Sequence, residues 1–83
     1  MLLIKLFITE DDPIYREYLI KDLGKQRFIK VVGWAENGDD LLMQIKKAKP
    51  NVILLDVIMP NTDIIITIRK IKELDIGLTQ KQE

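Results

Sequence analysis

The sequence predicts an α/β protein in which parallel strands alternate with helices. Three apolar runs begin near residues 2, 28 and 52, and each is followed by a stretch with the capping residues and apolar spacing of a helix. The run Val52–Leu55 holds no polar residue, which is typical of a parallel strand covered on both faces. The chain therefore has the β-α-β-α-β-α order of one small open sheet.

The first strand is predicted over Leu2–Thr9, which is apolar at nearly all its inner positions. Asp12 followed by Pro13 predicts the start of the first helix, since aspartate caps helix N-termini and proline fits the first turn. The helix is expected to run to about Leu23 and to end at Gly24. The side chains expected on its packed side are those of Ile14, Tyr18, Leu19 and Leu23.

The second strand is predicted over Phe28–Ala35, a segment rich in β-branched residues. Asn37 and Gly38 predict a turn, and the two aspartates that follow suit the N-terminal end of a second helix. Pro50 is expected to break that helix. Its inward side chains are predicted to be those of Leu41, Leu42, Ile45 and Ala48.

The third strand is predicted over Val52–Val57. Asp63 predicts the N-cap of a third helix that continues to about Leu74. Four isoleucines are expected to face the sheet from this helix: Ile64, Ile65, Ile68 and Ile71. The chain also has isolated large side chains for which we expect packing roles: Tyr15, Tyr18, Trp34 and Met59.

The acidic residues follow two strands that we expect to be neighbours. Right-handed crossovers are required between parallel strands, and a first strand between the second and third gives the flavodoxin-like order. Glu10 and Asp11 come directly after the first strand, and Asp56 lies at the end of the third. Ligands bind outside the carboxyl ends of such strands. These three carboxylates are therefore predicted to share one crevice.

Composition excludes several classes of protein. Thirteen basic and thirteen acidic residues cancel, so net charge gives no reason to expect nucleic acid or an anionic membrane as a partner. The chain has no cysteine and no histidine, which removes disulfides, thiolate metal sites and the commonest general base. No apolar run approaches the roughly 20 residues of a membrane helix. We expect one soluble, cytoplasmic domain.

Converging carboxylates favour a hard cation. Three of them repel one another unless they are solvated or neutralised, and Mg²⁺ prefers oxygen ligands of this kind. A carboxylate beside such an ion can also accept a phosphoryl group as an acyl phosphate. Asp56 is the strongest candidate, because apolar residues surround it in the sequence. Asp12 is explained by helix capping alone, and Glu10 or Asp11 taken singly could serve surface or capping roles.

Four segments of this chain resemble the receiver domain of bacterial two-component response regulators (CheY-like). They are Ile8–Pro13 with Arg16 following, Val31–Gly38, Lys49–Pro60 and Asp63. The combination of the acid pair, the Asn-Gly turn and Leu-Asp-x-x-Met-Pro at these separations is specific to that family. With the helices between them, these segments cover nearly the whole chain to position 74.

The resemblance implies a phosphorelay function. Asp56 would be the phospho-acceptor, and Glu10, Asp11, Asp56 and the backbone carbonyl of Ile58 would hold Mg²⁺ as cofactor. The donor would be a sensor histidine kinase or a small acyl phosphate. The output would be a switched homodimer or attached effector domain, in transcription regulation, with DNA contacted only through that effector. On this interpretation the chain is not an enzyme.

The chain departs from the family after the third helix. Receivers continue to a fourth and a fifth strand that carry a Ser or Thr and a Lys, and this sequence ends before either. Thr79 and Lys81 come too early to take those roles. We interpret residues 1–75 as the N-terminal part of a receiver and 76–83 as a tail, such as the start of a linker or output helix. The third strand would then lie at a sheet edge, which favours a dimer.

Three alternatives compete with this interpretation, and the first is the strongest of them. A receiver-derived binding or dimerisation module would never be phosphorylated, because the later switch residues are missing. A metal-dependent phosphatase on a similar sheet would want an acid two residues after the nucleophile, where Ile58 stands. A flavin-binding flavodoxin would want a Ser/Thr/Gly-rich phosphate loop after the first strand, where acids stand instead.

Overall fold

The structure, a computed structural model, describes residues 3–56, 59 and 62–74. Three strands and three helices alternate, as the sequence predicts. Their bounds are β1 (Ile4–Thr9), α1 (Pro13–Gly24), β2 (Ile29–Ala35), α2 (Gly38–Ala48), β3 (Val52–Leu55) and α3 (Ile64–Glu73).

Each helix begins at a polar side chain that the sequence marks. Asp12, Asn37 and Asp63 each accept a hydrogen bond from a backbone N–H in the first turn of the helix that follows, over 2.9, 2.8 and 3.1 Å. These bonds satisfy N–H groups that have no partner inside the helix. The predicted caps Asp12 and Asp63 are confirmed, and Asn37 is a cap as well as a turn residue. The C-cap of α2 is Lys49, which adopts the left-handed conformation just before Pro50.

The three strands form a parallel sheet in the order β2-β1-β3. Leu6 of β1 pairs with Val31 on one side and with Val52 on the other. This confirms the flavodoxin-like order. The connection from β1 to β2 and the connection from β2 to β3 run in opposite directions across the sheet, so right-handed crossovers place α1 and α2 on opposite faces. Asn51 extends the pairing at the amino end: its side chain accepts from Lys5 and donates to the Leu3 carbonyl.

The hydrophobic core lies on the face that α2 and α3 cover. Phe7 of β1 is fully buried there, and Gly33 of the neighbouring strand makes room for it. A Cβ at Gly33 would lie only 2.8 Å from a ring carbon of Phe7, so glycine is required for this contact. The buried core residues are Phe7, Ala35, Leu41, Ile45 and Ile71. The inward face predicted for α2 is confirmed, since Leu42 and Ala48 pack against this core.

The packed side predicted for α1 is wrong in half of its members. Leu19 and Leu23 are partly buried, but Ile14 is 83% exposed and Tyr18 is also exposed. Tyr15 and Tyr18 stack on each other on the outer surface, with ring centroids 6.2 Å apart. The physical reason is that apolar residues occur all round this helix, so their spacing does not mark one face.

The face predicted for α3 is also wrong in part. Ile71 is buried and Ile64 is partly buried, whereas Ile65 and Ile68 are exposed. Thr67 takes the inward position, because it packs against Gly38 at the start of α2. The contact between the two helices therefore decides the rotation of α3, although its apolar pattern favours another face.

β3 is not covered on both faces as its sequence predicts. Val52 and Leu54 are exposed, and Ile53 and Leu55 are partly buried against the core. Among the residues that the structure describes, β3 pairs with β1 alone and lies at the edge of the sheet. This agrees with the expectation of an edge strand. Met59 is buried in the loop that follows, which confirms its packing role.

Some predictions fall on positions outside the described residues. They are the end of the third strand at Val57, the backbone carbonyl of Ile58, and the tail 76–83 with its boundary at 75. Within the described part of the chain, no helix has the length and apolar character needed to cross a membrane.

Candidate functional site

Three carboxylates converge at the carboxyl end of the sheet. Glu10, Asp11 and Asp56 can each offer one oxygen, and these oxygens all lie within 4.8 Å of one another. Glu10 is buried, Asp56 is partly buried and Asp11 is exposed. We call these three side chains the acid site. The structure thus brings together the three acidic side chains that the sequence singles out.

The sheet itself sets the position of the acid site. The backbone N–H of Asp56 donates to the Thr9 carbonyl over 3.1 Å, and the N–H of Glu10 donates to the Ala35 carbonyl over 3.0 Å. Both bonds continue the ladders of the parallel strands by one residue. Backbone pairing therefore fixes Glu10 and Asp56, each at the point where its strand ends.

Asp12 has a different role from its two acidic neighbours. Its carboxylate accepts from the first N–H groups of α1, and its own N–H donates to the Glu10 carboxylate over 3.1 Å. Asp12 thereby caps the helix and holds Glu10 at the same time. The interpretation of Asp12 as a capping residue is confirmed.

The pKa of Glu10 is raised above its ordinary value. Burial is the main cause, and the negative charge of Asp56 raises the pKa further, while the hydrogen bond from the Asp12 N–H acts in the opposite direction. Hydrogen bonding with the Asp56 and Asp11 carboxyls also raises it. Glu10 is thus a buried acid beside other acids, and a bound cation would relieve this repulsion.

The acid site suits a hard divalent cation. All three donors are carboxylate oxygens on two adjoining strand ends, and Mg²⁺ is commonly held by one or two carboxylates with waters and a phosphate. The raised pKa of Glu10 is a second observation in favour of a cation, because positive charge would favour the ionised carboxylates. Glu10, Asp11 and Asp56 are therefore the residues that would hold it.

Two contacts of Arg16 were not predicted from the sequence. Its guanidinium donates a 2.8 Å hydrogen bond to the backbone carbonyl of Glu10 and lies 4.1 Å from the ring centroid of Trp34. The predicted topology offered an indication of these contacts. Arg16 lies one turn into α1, and Trp34 lies in the strand next to β1, where it pairs with Ile8. The packing role expected for Trp34 is corrected by these contacts, since its half-exposed ring carries a cation on its face.

A cavity of about 440 Å³ opens beside the acid site, between α1 and β3. Thr9, Glu10 and Asp56 form its polar end, and the rest is lined by Tyr15 and four leucines: Leu19, Leu23, Leu54 and Leu55. The Thr9 hydroxyl is buried and makes no hydrogen bond with any residue that the structure describes. This hydroxyl was also not predicted as a feature of the site.

Comparison with known proteins points to one family. The model of the response regulator receiver domain matches residues 6–82. The chain is 39% identical over 71 residues to protein-glutamate methylesterase/protein-glutamine glutaminase 1 of Syntrophus aciditrophicus, which is 86% of this chain and 20% of that protein. It is 36% identical over 72 residues to the Bacillus subtilis protein of that type, covering 87% of this chain and 20% of the relative. The chain thus spans about a fifth of these relatives.

Solved structures agree with the sequence comparison. The response regulator domain of Thermotoga maritima CheB superposes with a TM-score of 0.80 at 28% identity, covering 89% of this chain and 55% of that one. The RcsB response regulator of Salmonella typhimurium superposes with a TM-score of 0.82 at 28% identity, covering 95% and 41% respectively. Both similarities extend over nearly all of this chain.

Proposed function

The chain belongs to the response regulator receiver domain family, and we propose that it accepts a phosphoryl group on Asp56 in a Mg²⁺-dependent phosphorelay. The single observation that carries this proposal is the convergence of Asp56 with Glu10 and Asp11 at the carboxyl end of the sheet. Asp56 is held there by its backbone bond to Thr9, so its carboxylate has a defined position at the open end of the crevice.

The chemistry needs no histidine from this chain. A carboxylate oxygen of Asp56 attacks the phosphorus of the donor, and the new oxygen–phosphorus bond forms as the bond to the donor atom breaks. The electron pair of the broken bond leaves with the donor. The product is an acyl phosphate on Asp56.

The acid site would hold Mg²⁺ through Glu10, Asp11 and Asp56, with the carbonyl of Ile58 as a further ligand. When bound, Mg²⁺ supplies positive charge that offsets the charge of the entering phosphoryl oxygens. The role of this chain is to fix the carboxylates by backbone pairing before the donor arrives. Such positioning provides most of what phosphoryl transfer requires.

The proposed donor is a sensor histidine kinase, and the proposed compartment is the cytoplasm. Family membership supports both, because receivers interact with such kinases. On this proposal the chain is the acceptor of the transfer and does not act as an enzyme on other molecules. A small acyl phosphate would serve as an alternative donor in solution.

For the output we propose transcription regulation through an attached DNA-binding domain. The similarity to RcsB, whose structure is described in connection with DNA interaction, supports this. A second candidate is an attached protein-glutamate methylesterase, which the curated relatives favour. Sequencing the gene beyond the codon for Glu83 distinguishes the two, because an open frame encoding a helix-turn-helix or an esterase domain would identify the output.

We also propose that the chain forms a homodimer through β3. Val52 and Leu54 are exposed on this strand, and β3 is the edge of the described sheet. Pairing with a second copy would cover both the strand and its apolar side chains. Sedimentation equilibrium tests this: we expect a dimer that Leu54→Lys dissociates, and a monodisperse, cooperatively folded wild-type monomer would contradict it.

The phosphorelay proposal is tested by intact mass after incubation with a small acyl phosphate. We expect the wild type to gain the mass of one phosphoryl group with Mg²⁺ and none after chelation. Asp56→Asn should gain none under either condition. The matched control is Asp12→Asn, which removes a neighbouring carboxylate but keeps a capping side chain, and it should still be phosphorylated.

Circular dichroism on the same samples establishes that each variant is folded. A folded wild type that gains no mass would favour the non-phosphorylated binding module. A gain that persists in Asp56→Asn would place the acceptor elsewhere. Either result would overturn the assignment of Asp56.

A further inference from the structure

We propose that Arg16 is a positioning residue for the acid site, which it controls through the backbone of Glu10 while the Trp34 ring holds its guanidinium in place. This inference rests on the proposed function, since it concerns the affinity of the same site for Mg²⁺. It adds a residue that has no carboxylate and takes no part in the transfer itself. It also gives a role to the exposed face of Trp34.

The contacts form a short chain from α2 to the acid site. Gln44 of α2 donates to the backbone carbonyl of Trp34 over 3.1 Å and to Asp40 over 3.0 Å, which fixes the end of β2. The Trp34 ring then supports the guanidinium of Arg16, whose carbon lies 4.1 Å from the ring centroid. From there a 2.8 Å hydrogen bond reaches the carbonyl of Glu10.

The bond to Glu10 acts where it has most effect on the acid site. The carbonyl of Glu10 belongs to the peptide that joins Glu10 to Asp11, so the orientation of that peptide sets the directions of both side chains. The N–H of Glu10 is already bound to Ala35 in the sheet. With Arg16 on the carbonyl, the peptide groups on both sides of Glu10 are held, and the two carboxylates are oriented before a cation binds.

A planar guanidinium is suited to this task. Arginine can stack on an aromatic face and donate in its own plane at the same time, and lysine cannot. Cation–π contact of this kind is favourable even at exposed sites. A charged donor also makes a stronger hydrogen bond to a carbonyl than a neutral one.

The sign of the effect separates positioning from charge. If Arg16 acted only through its positive charge, removing it would strengthen Mg²⁺ binding, because one cation near the site would be gone. If it acts through position, its removal weakens binding in spite of that gain. The direction of the change in affinity therefore decides between the two roles.

The test is isothermal titration of the full chain with MgCl₂. Arg16→Met keeps an apolar stem over Trp34 but loses the donor, and its dissociation constant should rise about 3- to 10-fold. Arg16→Lys keeps a charged donor but loses the planar stack on Trp34. Its dissociation constant should lie between those of Arg16→Met and the wild type. Trp34→Leu should raise the constant about 2- to 5-fold. The control Arg27→Met, an exposed site just before β2 at the opposite end of the sheet, should leave it unchanged.

Each result bears on the proposal. Weaker binding in Arg16→Met and Trp34→Leu, with partial rescue in Arg16→Lys, supports it; equal or tighter binding in Arg16→Met overturns it. If Arg16→Met does not fold, the other two variants decide, and unchanged constants in both overturn it. A folded wild type that binds no Mg²⁺ overturns the metal site of the proposed function and this inference together. Binding in the wild type without an effect of Arg16 overturns this inference alone.

Discussion

The backbone N–H of Asp56 donates a hydrogen bond to the carbonyl of Thr9 across the ends of two parallel strands, over 3.1 Å. Residues far apart in the chain are thereby brought into register by the sheet. The Asp56 carboxylate owes its place to this pairing, because the ladder of β1 and β3 continues to it.

Glu10→Gln should stabilise the metal-free chain at neutral pH. Burial is the main cause of the raised pKa of Glu10, so between the ordinary value of 4.5 and the folded value the folded chain binds more protons than the unfolded chain. The contribution of Glu10 to stability is therefore present below pH 4.5 and is lost as pH rises through the folded pKa. Urea unfolding of both proteins from pH 4 to pH 8, with a chelator present, measures the free energy of unfolding. We expect the variant to gain stability relative to the wild type as the pH rises.

The control for this experiment is Glu17→Gln on the exposed surface of α1. This variant should not gain stability relative to the wild type as the pH rises. Mg²⁺ at 100 times its dissociation constant should then stabilise the wild type by about 2.7 kcal/mol and Glu10→Gln by less. A difference between wild type and Glu10→Gln that shrinks as pH rises would contradict the assignment of a raised pKa.

Thr9→Val should stabilise the chain by about 1 kcal/mol, because it replaces a buried hydroxyl that no described residue binds with a methyl group of similar size. Thr9 is 1% exposed, so its hydroxyl is withdrawn from the bulk solvent at the inner end of the cavity between α1 and β3. Urea unfolding measures the change. The matched control is Thr9→Ser, which keeps the hydroxyl and loses the methyl group, and it should destabilise. A loss of stability in Thr9→Val would mean that the hydroxyl has a partner.

Gly38→Ala should destabilise the chain by about 1–3 kcal/mol, the usual range for overpacking. A Cβ at this position would lie 2.6 Å from the Thr67 hydroxyl oxygen and 3.0 Å from a Thr62 methyl carbon. The N–H of Gly38 also donates to the Thr62 hydroxyl, so α2 and the start of α3 cannot easily separate. Thermal unfolding of Gly38→Ala and the wild type measures this loss of stability.

Gly24→Ala is the matched control for that substitution. Nothing lies within 4 Å of a Cβ at Gly24, which ends α1. Alanine there should stabilise by about 0.4–1 kcal/mol, because it reduces the freedom of the unfolded chain. Equal effects at positions 38 and 24 would show that the close contact between α2 and α3 is absent in solution.

Ile71→Ala should cost about 2–4 kcal/mol, whereas Ile68→Ala should change stability far less. Ile71 is 6% exposed and belongs to the core, while Ile68 is 49% exposed on the same helix. Chemical denaturation of the two variants tests the rotation of α3. A larger loss of stability in Ile68→Ala than in Ile71→Ala would mean that Ile68 faces the core, as the apolar pattern of α3 predicts.

Element order and the acid site could be predicted because each rests on a local signal. Asp12 and Asp63 stand where caps are needed, and both cap their helices. Glu10 and Asp56 each follow an apolar strand, and parallel strands end at one edge of the sheet. Two short-range patterns and one topological rule were therefore sufficient for these features.

The faces of α1 and α3 could not be predicted in the same way. Three consecutive isoleucines begin α3, and consecutive residues point in different directions, so no single face is marked. The inward residue Thr67 is chosen by the space above Gly38, which is a contact between distant segments. The stack of Arg16 on Trp34 is likewise a tertiary contact, and hydrophobicity patterns do not report it.

The position of β1 at the centre of the sheet has a consequence for how the chain reaches its fold. β1 is synthesised first, yet both of its pairing partners come later, and Lys5 must meet Asn51 across a separation of 46 residues. The three described strands are all parallel, so none of them pairs with another through a local hairpin, and closing such long loops slows folding. During translation Leu6, Phe7 and Ile8 lack their partners in β3 until residue 55 has left the ribosome. A nascent chain shorter than that is the species in which we expect aggregation or chaperone capture.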